Sequence, residues 1–197
     1  MRLGNNPMKR LSLYLFLIFF TLQTPSQAND IRDFQIEGMS IGDSALDFFS
    51  EDELKNANVE SYKDKKFLML GIWKEYKIYD VLQIYVKPND SKYEIYGIAG
   101  VIAYSDNLEA CYKKMDEIAN NFSVIFKNLK KQDHGRLINP VESDPYGGTY
   151  NLVSFDFTDR SRMQVSCNDW SEKSAIFDSV KVEIFSREVS IYLASKI

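Results

Sequence analysis

The chain has 197 residues, with 24 Lys+Arg against 28 Asp+Glu, one His, two Cys and 14% aromatic residues. An acidic chain is a poor electrostatic match for nucleic acid or an anionic membrane surface. Its aromatic content and the lack of repeats argue for a packed globule rather than a disordered tail.

Residues 1–28 read as a secretory leader. Arg2, Lys9 and Arg10 form a basic start, and the apolar run "LSLYLFLIFFTL" from Leu11 to Leu22 follows. That run is roughly a dozen residues, too short for a membrane-spanning helix. Pro25 breaks it, and Ser26 and Ala28 supply the small residues that a signal peptidase needs. No cysteine follows the run, so a lipid-anchored form is not expected. Cleavage near Ala28 leaves 169 residues with 21 Lys+Arg against 28 Asp+Glu, a net charge of −7. This is a length for one domain, 29–197, with no membrane span.

Ile31 to Glu37 reads as an edge-like strand. Ser40 with Asp43 looks like a helix-capping box, and Ile41, Ala45, Leu46 and Phe49 follow at helical spacing. Ser50 with Glu53 repeats the capping pattern, and Asn56 to Lys66 reads as loop. From Phe67 to Tyr104, β-branched and aromatic residues indicate an antiparallel meander with a hairpin at Pro88–Lys92. The spacing then predicts a long helix over 106–129, capped by Asp106 and Glu109, with Leu108, Cys111, Met115, Ile118, Ala119, Phe122 and Phe126 on its apolar stripe. The stretch "KKQDHGRLINPVESDPYGGTY", 130–150, lacks periodicity and reads as a long loop or flap. A hairpin follows, "YNLVSFDF" turning into "RMQVSCNDW", then the strand "FDSVKVEIF" and a short terminal helix. The fold expected is α+β: an antiparallel sheet of about five or six strands packed on the 106–129 helix and a short N-terminal helix.

Cys111 lies on the helix's apolar stripe, and Cys167 alternates with Met163 and Val165 on the inward side of a strand. In an exported chain such a pair is expected to form a disulfide. No Cys-x-x-Cys spacing points to redox catalysis.

Two features invite a hydrolase reading. "GDS" at Gly42–Ser44 resembles the opening of the nucleophile block of Gly-Asp-Ser-type esterases, which would make Ser44 the nucleophile. That family also needs an Asp-x-x-His block, but Lys131 stands three residues before His134, the one histidine. His134 alone could act as a base or ligand. A metal site needs three or four convergent ligands, and the acidic clusters Ser50–Glu53 and Asp156–Asp159 lack calcium-loop spacing. No catalytic, cofactor-binding or metal-binding residue is therefore assigned.

The segment "DFQIEGMSIGDSALDFFSEDEL", with the helix around Cys111, resembles a group of small uncharacterised exported proteins of marine alphaproteobacteria, which implies export and a shared fold. "IEGMS" is also similar to the Gly-Met-Thr turn of small outer-membrane assembly lipoproteins, α+β scaffolds that bind partner proteins. The function expected is that of a non-enzymatic periplasmic or secreted module with an envelope or secreted protein partner. The alternative is a small-ligand carrier with an aromatic groove under the 130–150 loop.

Overall fold

The computed structural model describes residues 30–104, 107–139, 146–174 and 176–196. The leader expected over 1–28 lies outside them. One antiparallel sheet holds β1 (Asn58–Glu60), β2 (Leu68–Ile72), β3 (Val81–Val86), β4 (Gly97–Ala103), β5 (Lys130–Ile138), β6 (Thr149–Asp156), β7 (Arg162–Asp169) and β8 (Ser179–Phe185). Their order, β1-β2-β3-β4-β8-β7-β6-β5, describes two meanders. The first ends on β4, the chain crosses through α2 (Leu108–Ile125), and the second meander returns so that β8 pairs with β4. Two further helices are α1 (Glu51–Lys55) and α3 (Arg187–Ala194). The α+β class and single antiparallel sheet agree with expectation. The expected five or six strands on one long helix is corrected to eight strands and three helices among the described residues.

Residues opposite one another in register share a sheet face. Phe155, Met163, Ile184, Ile98, Ile84 and Leu70 form one apolar row, and they belong to the main core beneath α2 and the N-terminal segment. α2 buries Cys111, Met115 and Ala119 against this face. Its cap is Asn107, whose side chain accepts from the Ala110 N–H, and not Asp106, which lies outside the described residues. The helix ends at Ile125 because Phe126 leaves helical geometry and buries its ring against Phe34, Phe155 and Phe157. The expected extension to Leu129 is about one turn too long. A disulfide joins Cys111 to Cys167, with Cα atoms 5.8 Å apart. It ties the start of α2 to the middle of β7.

The N-terminal segment departs furthest from its local pattern. Ile31–Asp33 is a 3-10 turn capped by Asp30 rather than a strand. Glu37 and Gly38, both left-handed at φ 52 and 87, reverse the chain so that Ile36 bridges Met39. No helix starts at Ser40. Gly42 takes φ 95, and its N–H and the Asp43 carbonyl bond to Ile95 at 2.8 and 2.9 Å. This stretch runs beside residues 92–95, and one 3-10 turn, Ala45–Asp47, forms instead of the helix. The Ser50–Glu53 capping box is present at α1 as read. The expected 56–66 loop contains the short edge strand β1.

The expected 130–150 loop is also corrected, since β5 occupies nine residues of it. An edge strand exposed on both faces needs no apolar alternation, and hydrogen bonding to β6 alone defines it. At the other end of the chain, α3 packs on the second sheet face, where Phe67, Phe185, Val189 and Tyr192 form a small separate cluster. Two glycines of β4 admit rings. Gly97 lies under Tyr85 and Phe185, and a Cβ at Gly100 would stand 2.4 Å from the Tyr79 ring.

Candidate functional site

Ser44 is a structural residue. Its hydroxyl caps Ala45–Asp47 by accepting from the Leu46 N–H and donates to the Lys92 carbonyl at 2.6 Å. Its hydrogen bonds thus go to its own 3-10 turn and to the 91–92 turn, and not to His134. The imidazole of His134 instead meets a serine that the sequence did not nominate: His134 Nε2 lies 2.8 Å from Ser154 Oγ. A β-bulge between Asp133 and Gly135 turns His134 towards β6, with Gly135 left-handed at φ 64. A histidine–serine contact is the first requirement of nucleophilic catalysis. Two further requirements are missing. Ser154 is fully buried, so no substrate reaches its hydroxyl, and the adjacent Asp133 carboxylate accepts from the Gly135 N–H instead of orienting the ring. Among the described residues no side chain orients the imidazole from its other nitrogen. The contact therefore pins β5 to the sheet at its bulge. Among the described residues no group of three or more His, Cys, Asp or Glu could hold a metal ion.

The row on the second sheet face that contains Ser154 continues through Gln164 and Glu183. There Lys181 pairs with Glu183 at 2.8 Å, with side chains only 21% and 6% exposed, and Gln164 donates to the same carboxylate. Burial alone would push the Lys181 ammonium down; Glu183, Tyr85 and Glu60 together outweigh it and hold the ammonium above its ordinary value. Ser166 stands opposite Lys181, but an ammonium held charged is no base for it. Burial pushes Tyr85, on the same face, up to about 12. The "KVE" of β8 signals this pair, because charges two apart in a strand share a face.

Among the described residues, the longer of the two sheet edges is the outer edge of β5. Its nine residues are exposed or half-exposed throughout, whereas β1 at the opposite edge has only three residues. The Asn139 N–H bonds inward to the Gly148 carbonyl. By the alternation of antiparallel ladders, Leu137 also faces inward, and Arg136 and Ile138 turn their backbone N–H and C=O groups outward. The edge is basic at one end, where Lys130 and Lys131 lie, and apolar at the other, where Ile138 is 75% exposed. Arg136 is held by Thr149 at 3.0 Å and Asp169 at 3.1 Å. Lys130 and Lys131 have no ion-pair partner among the described residues. Beside Arg136 lies a cavity of about 220 Å³, and its described lining includes Tyr146 and Trp170.

No helix among the described residues is long and apolar enough to cross a membrane. No family model, curated protein or solved structure matches the chain.

Proposed function

We propose that the chain is an exported, non-enzymatic binding module that takes an extended segment of a partner protein as a ninth strand along β5. The observation that supports this reading is a nine-residue edge strand, with no described strand on its outer side, ending on an Ile138 that is 75% exposed. Proteins ordinarily shorten or blunt such edges because unpaired backbone groups recruit other chains. The β1 edge is short, and the bulge and charges of β5 protect its first half. The stretch from Arg136 to Ile138 keeps its outward donors and acceptors. In strand addition the main chain supplies affinity and side-chain pockets supply selectivity. Here the complementary segment carries acidic residues opposite Lys130 and Lys131 and an apolar residue opposite Ile138.

Export is supported by the leader pattern of residues 1–28 and by the Cys111–Cys167 bond, which suits an oxidising compartment. The test is photo-cross-linking in intact cells, with the cross-linking residue placed at Arg136, at Ile138 and, as control, at Glu109 on α2. One discrete product from both β5 positions and none from Glu109 is expected. Equal labelling from all three positions would remove the proposal.

A further inference from the structure

A groove lies where the 41–42 turn, residues 94–96 and the start of α3 meet, well apart in sequence from β5. We infer that it binds a small amphiphile with a single carboxylate head and an apolar tail. Its volume is about 580 Å³, within the range of roughly 300–1,000 Å³ typical of small-molecule sites. Ile41, Tyr96 and Ile191 give it apolar wall, and Ile191 is 42% exposed there without an apolar cover.

The charges around it are unevenly satisfied. Arg32 is held by Asp30, Glu188 by Lys87 at 3.0 Å, and Glu94 accepts from the Tyr96 hydroxyl at 3.0 Å. Among the described residues, two cations of the lining have no carboxylate partner, Lys66 and Arg187. Lys66 sits over the faces of Phe67 and Tyr192, 5.9 and 5.7 Å from their centroids, which keeps its ammonium near the groove. Arg187 opens α3, whose dipole favours negative charge at that end. A carboxylate placed between Lys66 and Arg187 satisfies both cations. Its tail then covers Ile191 and the Tyr96 ring. A purely apolar ligand leaves the cations unanswered, and a polyanion leaves the apolar wall bare.

The experiment titrates the disulfide-bonded protein with octanoate, decanoate, dodecanoate and decanol, each below its micelle concentration, and follows backbone amide shifts by NMR. Saturable shifts at Lys66, Tyr96 and Ile191 are expected. Affinity should rise up to about fourfold per added methylene, the value for full burial. Decanol should bind at least tenfold more weakly than decanoate. The double variant Lys66→Gln with Arg187→Gln changes only exposed side chains, and should lose at least tenfold in decanoate affinity with an unchanged circular dichroism spectrum. Absence of saturation, equal affinity for decanol and decanoate, or unchanged binding by the double variant overturns the inference.

Discussion

Glu183 and Lys181 provide the sharpest energetic test of the fold. At 2.8 Å, and with an effective dielectric of about 20, their attraction is about 6 kcal/mol. Removing the two ions from water costs several kcal/mol each, so the pair as a whole contributes little net stability. Removing one partner is different, because it leaves a charge behind in a site only 21% or 6% exposed. Glu183→Leu and Lys181→Met should each cost about 3–5 kcal/mol. Lys181→Met with Glu183→Leu should lie within about 1 kcal/mol of the parent or be more stable. The assay is urea unfolding of all four proteins at neutral pH, read as a double-mutant cycle. Single variants costing less than about 1 kcal/mol, or a double variant equal to their sum, would show that the pair is solvated and that this face is not closed.

Three further perturbations test other joints. Replacing both Cys111 and Cys167 by Ala releases a 56-residue span, and should lower unfolding free energy by about 4 kcal/mol in denaturant titration. Hydrogen bonds from Lys196 and Tyr192 lower Asp64 from its ordinary 3.8 to about 2. The depressed pKa means this latch on α3 contributes fully above the unfolded value and is lost as pH falls towards 2. The stability gap between the parent and Asp64→Asn should therefore be constant above about pH 5 and shrink between pH 4 and 2 in pH-dependent unfolding. Gly100→Ala puts a Cβ 2.4 Å from the Tyr79 ring, and should cost about 1–3 kcal/mol in thermal melts, since the ring has to shift off the strand.

Elements whose own side chains answer their own backbone were legible in the sequence. The Ser50–Glu53 box, the apolar stripe of α2, the β6–β7 hairpin and the inward-facing cysteines all follow from spacing alone. The "IGDSALDFF" stretch misled because Ile41, Ala45, Leu46 and Phe49 keep helical spacing, while hydrogen bonds to distant residues 93 and 95 hold the chain extended. Leu46, which that spacing would bury, is 39% exposed. β5 was hidden for the opposite reason. Both its faces are largely solvated, so no alternation marks it, and a left-handed Gly135 interrupts what pattern there is. The partnership of His134 with Ser154 exists only once β5 and β6 are paired, so it had no sequence signal. The Lys181–Glu183 pair did have one, in two charges set two apart within "SVKVEIF".

The central claim is that the outer edge of β5 receives a partner strand. Ile138→Pro removes one outward N–H and the exposed apolar side chain, and leaves the inward bonds to β6 in place. The measurement is the yield of the cross-linked product from a residue at Arg136, compared between the parent and Ile138→Pro at matched folded protein. Loss of the product, with hydrogen exchange on β6 and β7 unchanged, is the result predicted. Full yield from Ile138→Pro would contradict strand addition at this edge.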